Sequence, residues 1–366
     1  MLMQSFIIPI LKVTDSCNFT CEFCYYAQRN ASSRLMTLQE AKKILKNCFE
    51  YNVRNKNLRM RVIFHGGEPL LQPVSFYEGV LEYEKELTRE VEGFEFINAI
   101  QTNGYLINDE WLDFFENNRF DIGISIDGTA EYNKHYGKEG AEKSTERVLN
   151  NIKRLNDRNI PFGIISVITN SHTQNPEMLY SFCVENGIHD LSLNYCFNSD
   201  TDDSVDNSKL CSFVKRLFDL YFSGSYNLNV REFNETIAKI MGYCTDTCAT
   251  CDRKNCGQYM AFDYLGNVFF CDSEYDKNTK VGNIHEQNLY QIIDSFNYIN
   301  QLYECRKVYE DTCRNCKYVQ YCGGGCHRYD VVIDGKKQNY FCDTNKELID
   351  YIALTIKNVN GNCVDD

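Results

Sequence analysis

Three cysteines near the start of the chain, Cys17, Cys21 and Cys24, constrain its fold more than any other feature. They read C-x3-C-x2-C directly after a short apolar run, which places them in a loop where three thiolates can converge. A [4Fe–4S] cluster normally takes a cysteine thiolate at each of its four irons. Three thiolates leave one iron open to activate a ligand, so the motif predicts a reaction centre. Zinc is the alternative metal, but it requires a fourth ligand that no nearby His or Cys supplies.

Composition and charge argue against several classes of protein. The chain has 366 residues, 19 of them cysteine, and a net charge of −13 that is spread along its length. Phosphate binding needs clustered Lys and Arg, so we expect no nucleic-acid partner. No apolar run approaches the ~20 residues that span a bilayer, and no signal peptide is recognisable. The odd cysteine count favours metal binding over a disulfide framework, which predicts a cytoplasmic protein without a membrane partner.

Strand-like and helix-like segments alternate through the first half of the chain. The predicted strands are 6–13, 60–64, 94–101, 120–127, 162–169 and 190–196, and the predicted helices are 38–51, 74–88, 109–117, 144–158 and 177–186. Thr37 and Glu40 form a capping-box sequence before the first helix. Six β-then-α units predict an α/β fold, a partial (β/α)6 TIM-type barrel. Its site would lie at the carboxyl ends of the strands, where the cysteine trio, 65–69 (HGGEP), 102–104 (TNG) and 127–128 (DG) all fall.

The second half of the chain has a different composition. Cysteines become dense from 244 onward, and short strands are predicted around Gly266, at 259–264 and 268–271. We expect four segments: a barrel over 1–225, a linker over 226–243, a cysteine-rich, metal-stapled domain over 244–345 and a C-terminal helix over 346–366.

The cysteine trio after a first strand, with Gly-Gly-Glu-Pro after a second, resembles the radical S-adenosylmethionine (SAM) superfamily. Members of that family bind SAM to the open iron and reduce it to methionine and a 5′-deoxyadenosyl radical, which abstracts a hydrogen atom. The resemblance implies that Cys17, Cys21 and Cys24 hold the cluster. It also implies that SAM is contacted by the residues Tyr26, Gly66, Gly67, Glu68, Pro69, Asn103, Ser125 and Asp127. Turn formation is the alternative role for Asn103 and Ser125.

A seven-cysteine series in the C-terminal third resembles the SPASM domain, the extension with two auxiliary [4Fe–4S] clusters in radical SAM peptide-modifying enzymes. The series reads Cys256-x9-Gly266-x4-Cys271, Cys313-x2-Cys316-x5-Cys322-x3-Cys326 and, after a gap, Cys342. The resemblance implies one auxiliary cluster on Cys313, Cys316, Cys322 and Cys342, and a second on Cys256, Cys271 and Cys326. The second cluster needs one more ligand from upstream, for which Cys251 is favoured, with Cys248 and Cys244 as alternatives.

Asp272 directly follows Cys271. In the anaerobic sulfatase-maturating branch of the family an aspartate at this place acts as the base on the substrate, and the resemblance implies the same role here. The alternative is a structural carboxylate that accepts backbone N–H groups beside the cluster. His65, His135 and His327 are expected to be structural.

These features predict a radical SAM/SPASM maturase that carries three [4Fe–4S] clusters and oxidises a peptide or protein. The preferred substrate is a ribosomally made precursor peptide that is crosslinked by a thioether or carbon–carbon bond. The alternative is a sulfatase polypeptide in which Cys or Ser becomes formylglycine. His65, Leu70 and Thr129 depart from the sulfatase-maturase pattern, whereas Asp272 and 101–104 (QTNG) match it. A flavodoxin- or ferredoxin-type reductant is the expected partner. A non-catalytic Fe–S electron carrier and a zinc-rich scaffold are more distant alternatives.

Overall fold

The computed structural model describes residues 6–21, 24, 34–197, 203–243, 248, 253–272, 279–308 and 312–362. Within them the strands are β1 (Ile8–Lys12), β2 (Arg59–His65), β3 (Glu95–Thr102), β4 (Phe120–Ser125), β5 (Phe162–Ile168), β6 (Asp190–Tyr195), β7 (Asn229–Val230), β8 (Tyr259–Asp263), β9 (Asn267–Phe269), β10 (Lys280–Asn283), β11 (Asp330–Ile333) and β12 (Lys336–Asn339). The α-helices are α1 (Leu38–Arg54), α2 (Val74–Thr88), α3 (Asp109–Asn117), α4 (Ala141–Asp157), α5 (Pro176–Glu185), α6 (Asn207–Ser223), α7 (Arg231–Ile240), α8 (Leu289–Ile293), α9 (Phe296–Val308), α10 (Val319–Cys322) and α11 (Cys342–Asn362).

The chain divides into two compact units. Unit 1 comprises Met1–Ile126, Asn133–Gly163 and Cys256–Tyr303, and unit 2 comprises Asp127–Tyr132, Ile164–Asn255 and Glu304–Asp366. In the part of the chain that the structure describes, no helix is both long and apolar enough to cross a membrane.

Unit 1 is built on a mixed sheet with the strand order β10-β9-β8-β1-β2-β3-β4. The pairs β1–β2, β2–β3 and β3–β4 are parallel, as is the pair β1–β8, while β8–β9 and β9–β10 are antiparallel. All five residues of β1 are buried, as expected of a central strand in a sheet covered on both faces. Ile10 of β1 packs with Ala261 and Phe269 in a hydrophobic cluster against which Cys24 is seated.

Unit 2 continues the β-then-α alternation, with β5, β6 and β7 paired in parallel and β11 and β12 forming an antiparallel hairpin. Its longest helices, α6 and α11, are joined by a hydrogen bond from the Tyr351 hydroxyl to Asp219, at 2.7 Å.

The structure confirms the α/β class and the predicted order of strands and helices in the first half. The capping box at Thr37 and Glu40 is present, and α1 runs on to Arg54. The strand order is open in both units, so a closed barrel is not formed, and the barrel of six β/α units stays a prediction. The sequence argument did not foresee that β8 pairs with β1, because such a pairing depends on contacts more than two hundred residues apart.

Candidate functional site

The loop that carries the cysteine trio lies directly against the two glycines after β2. The backbone N–H of Gly67 donates to Thr14 O at 2.8 Å, and that of Glu68 donates to Ser16 O at 2.9 Å. A Cβ on Gly67 would lie 2.1 Å from Ser16 O, and one on Gly66, whose φ is +129°, would lie 2.4 Å from Thr14 O. Only glycine permits this approach, which holds the loop at the carboxyl end of the sheet.

The three thiols of Cys17, Cys21 and Cys24 share one neighbourhood in unit 1. Burial raises the pKa of Cys17 to about 12, and the charges of Glu68, Cys21 and Cys24 contribute in the same direction. Cys17 Sγ accepts the Phe19 N–H at 3.3 Å and the Asn103 amide Nδ2 at 3.8 Å. Three sulfur donors with N–H groups aimed at them fit an iron–sulfur cluster. Tyr26, also expected at this site, lies outside the described residues.

Glu68 is a buried hub between the ends of β2 and β3. Its carboxylate accepts hydrogen bonds from Leu70 N (2.9 Å), Thr102 Oγ1 (2.7 Å) and Asn103 N (2.8 Å). Burial nevertheless raises its pKa to about 7. The next residue, Pro69, accepts the Tyr77 hydroxyl on its carbonyl at 2.7 Å. Contacts of this segment with SAM stay a prediction.

Asn103 and Ser125 both take part in structural hydrogen bonds. Asn103 Oδ1 accepts the Tyr105 N–H at 3.0 Å, which is the predicted turn role, and its Nδ2 donates to Asn18 Oδ1 at 2.8 Å. Ser125 Oγ accepts Gln101 Nε2 at 2.9 Å. Asn103 therefore joins the β3 turn to the cysteine loop, which places it beside the predicted cluster site.

Asp127 belongs to unit 2 and is oriented there by β5. Its Oδ1 accepts the Val167 N–H at 2.7 Å, and its carbonyl is 2.9 Å from His172 Nε2. The side chain is fully buried. A contact of Asp127 with SAM stays a prediction.

Sequence reasoning missed the residue that accompanies Asp272. Lys12, at the end of β1, is 0% exposed, and its ammonium forms an ion pair with the Asp272 carboxylate. Burial lowers the pKa of Lys12, against the charges of Asp272, Cys271 and Cys24. A lysine inside the apolar run FIIPILKV was the available signal, since a buried charge requires a partner.

His65 completes this buried polar cluster. It is paired in register with Lys12, and burial together with the Lys12 charge lowers its pKa to about 4. The Gly66 N–H donates to His65 Nδ1 at 2.8 Å, so Nδ1 is the unprotonated nitrogen and Nε2 carries the proton. The cluster thus combines a cation, a carboxylate and a neutral imidazole donor next to the predicted ligands Cys24 and Cys271.

Four of the C-terminal cysteines line a single cavity within unit 2: Cys313, Cys316, Cys322 and Cys342. Burial raises the pKa of Cys313 to about 11, and the charges of Cys322 and Cys342 are the next causes. Four thiols around one cavity fit the complete ligand set of a [4Fe–4S] cluster. This is the set predicted for one auxiliary cluster.

Arg253 supports this cavity and was not singled out from the sequence. It is 1% exposed and forms a two-point ion pair with the Asp330 carboxylate. Its backbone N–H donates to Gly323 O at 3.2 Å and its Nε donates to Gly324 O at 3.0 Å. Arg253 therefore holds the glycine turn that lies between Cys322 and Cys326.

The ligands expected for the other auxiliary cluster are divided between the units. Cys256 and Cys271 lie in unit 1, and Cys326 lies in unit 2. Cys251 and Cys244 are outside the described residues, whereas Cys248 is described and partly buried. The ligand set of this cluster stays a prediction.

Comparisons with known proteins agree with these two sites. The Radical SAM superfamily model matches residues 11–183, and the SPASM model, an iron-sulfur cluster-binding domain, matches residues 248–317. A cysteine-type anaerobic sulfatase-maturating enzyme of Clostridium novyi is 26% identical over 97% of this chain and 99% of its own. A serine-type enzyme of Bacteroides thetaiotaomicron is 27% identical over 94% of this chain and 89% of its own.

The fold also matches a solved structure. Native anSMEcpe with bound AdoMet and Cp18Cys peptide superposes with a TM-score of 0.83 at 22% identity, over 98% of this chain and 99% of that one. Together with the two family models and the predicted cysteine patterns, this establishes the cofactors of the chain as SAM and iron–sulfur clusters. The protein is a radical SAM enzyme with a SPASM domain.

Proposed function

We propose that this enzyme is an anaerobic sulfatase-maturating enzyme that oxidises a Cys or Ser of a sulfatase polypeptide to formylglycine. The observation that carries the proposal is the similarity to such enzymes along the whole length of both chains, 97% of this one and 99% of the C. novyi enzyme. Peptide crosslinking, which the sequence argument preferred, has weaker support, because the relatives matched end to end are sulfatase-maturating enzymes. It becomes the alternative outcome of the test.

The proposed oxidation requires a base from the protein. When bound, SAM on a reduced cluster supplies the carbon radical that takes a hydrogen atom from the substrate, and the auxiliary clusters accept an electron. Conversion of a serine CH2OH to an aldehyde removes two hydrogens and two electrons. One hydrogen leaves as an atom, and the other leaves as a proton that a side chain must take up.

Asp272 is the proposed base, and Lys12 supports it. A buried ammonium beside a carboxylate favours the charged form, which is the form that accepts a proton. His65 lies beside both, with a proton on Nε2 that can be donated to substrate or SAM. Cys271, which precedes Asp272, is a proposed ligand of the auxiliary cluster, so a base at this position stands next to the group that takes up the electron.

The remaining site assignments form part of the same proposal. The segment 66–69 and the residues Tyr26, Asn103, Ser125 and Asp127 are proposed to hold SAM. A flavodoxin- or ferredoxin-type protein is the proposed reductant.

The test uses enzyme reconstituted anaerobically with iron and sulfide, a chemical reductant and SAM. Sulfatase peptides with Cys, Ser or Ala at the modified position are analysed by mass spectrometry and with an aldehyde-reactive probe. We expect an aldehyde from the Cys or the Ser peptide and none from the Ala peptide. Asp272→Asn should lose most of this product while it still cleaves SAM to 5′-deoxyadenosine, and Asp272→Glu should recover part of it.

Two results would contradict the proposal. If SAM is cleaved but neither peptide yields an aldehyde, the enzyme is not a sulfatase maturase. If a precursor peptide loses hydrogens without becoming aldehyde-reactive, crosslinking is the activity.

A further inference from the structure

We propose that His135 donates a hydrogen bond to the thiolate of Cys21 and thereby raises the reduction potential of the SAM-binding cluster. The proposal rests on the radical SAM identity of the enzyme and not on its substrate. His135 lies in the loop after β4, more than a hundred residues from Cys21 in sequence, and the sequence alone indicated only a structural role.

The contact is within hydrogen-bonding range for sulfur. His135 Nδ1 is 3.5 Å from Cys21 Sγ. A cysteine that ligates iron is a thiolate and can only accept a hydrogen bond. His135 must therefore present a protonated Nδ1 to Cys21, the opposite tautomer from that of His65.

The loop that holds His135 is itself tied to the cysteine loop. The side chain of Asn133, which is buried, accepts the His135 N–H at 3.2 Å and donates to the His135 carbonyl at 3.0 Å. Its amide also donates to Thr145 Oγ1 at 2.8 Å, near the start of α4. Both peptide groups of His135 are thus held by one side chain, which limits the positions the imidazole can reach.

Backbone pairing sets the distance between the two loops. The Thr20 N–H donates to Tyr136 O at 2.9 Å, and Phe19 and Gly137 form an antiparallel bridge. The residues on either side of Cys21 and His135 are therefore paired directly. The contact between the imidazole and the thiol follows from this two-stranded arrangement and does not depend on a chance rotamer at the surface.

The expected effect on the cluster follows from charge. Reduction adds an electron to a cluster whose sulfurs already carry negative charge, and N–H donors to those sulfurs stabilise the reduced state more than the oxidised state. Cys17 receives N–H groups from Phe19 and Asn103, and Cys21 receives its side-chain donor from His135. Without His135 the cluster should be harder to reduce.

The test compares His135→Leu, which removes the donor, with His135→Asn, whose amide N–H can replace Nδ1–H. Reconstituted proteins without peptide are titrated with reductant and followed by electron paramagnetic resonance. The signal that changes on addition of SAM identifies the SAM-binding cluster. We expect a shift to more negative potential in His135→Leu, largely reversed in His135→Asn, and none in His189→Leu, a control at an exposed histidine of unit 2. Iron content should stay at the wild-type level in all three.

Equal potentials in His135→Leu and the wild type would overturn the proposal, as would equal shifts in the Leu and Asn variants, which would indicate a packing effect. If His135→Leu fails to take up iron, the wild-type protein still gives an answer. With 15N-labelled histidine, pulsed resonance on the SAM-responsive signal should show a weak nitrogen coupling that disappears in His135→Asn. Absence of that coupling in the wild type would also overturn the proposal. None of these measurements involves a sulfatase, so failure here leaves the proposed function untouched.

Discussion

Glu84 is expected to make the stability of this enzyme depend on pH. Its side chain, on α2, is 4% exposed, and Asn98 Nδ2 of β3 donates to Oε2 at 2.7 Å. Glu84 Oε1 and Asn98 Oδ1 have no hydrogen-bond partner within the described residues. A proton on Glu84 would supply the one hydrogen that these two oxygens lack. Burial raises the pKa of Glu84 to about 7, opposed by the Asn98 hydrogen bond.

The sign of the pH dependence follows from this pKa. The unfolded chain releases the proton near the ordinary value of 4.5, whereas the folded protein holds it up to about 7. Between these values the folded state binds more protons, so its stability falls as the pH rises. The gap between 4.5 and about 7 corresponds to about 3.4 kcal/mol, fully present below pH 4.5 and lost above 7.

Glu84→Gln tests this reasoning. Glutamine has the same shape, stays neutral at every pH and can exchange two hydrogen bonds with Asn98. We expect the variant to match the wild type near pH 5 and to exceed its stability by up to about 3 kcal/mol above pH 8. Thermal unfolding of the reconstituted protein, followed anaerobically by circular dichroism, measures the difference, with Glu86→Gln on the exposed side of the same helix as control. A difference that is the same at both pH values would refute the reasoning.

Three further substitutions probe the two sites. Arg253→Met leaves the buried Asp330 carboxylate without its partner and should lower the free energy of unfolding by about 3–5 kcal/mol, against about 0–1 kcal/mol for Arg158→Met at a surface ion pair with Asp113; denaturant titration compares them. Gly67→Ala forces a Cβ against Ser16 O, so iron analysis should show the loss of about four irons, one cluster, whereas Gly93→Ala, with open space around it, should keep them. Lys12→Met should destabilise unit 1 by about 3–5 kcal/mol, and Lys12→Met with Asp272→Leu should recover most of that loss; equal unfolding midpoints for the single and double variants would contradict a paired buried charge.

The amino-acid sequence was sufficient for the features that depend on residues close together in the chain. The capping box at Thr37, the strand before each site motif and the cysteine spacings all follow from local periodicity, turn chemistry and ligand geometry. Close spacing also accounts for the shared cavity of Cys313, Cys316 and Cys322, to which α11 adds Cys342 at its first residue.

Only the tertiary structure decided which distant residues meet. Lys12 and Asp272 are 260 residues apart, and they pair because β8 lies beside β1 and the chain returns from β9 to the end of that strand. Arg253 meets Asp330, and His135 meets Cys21, for the same kind of reason. Sequence patterns report which face of an element is buried. The partner across that face is set by strand register and loop path, which are properties of the whole fold.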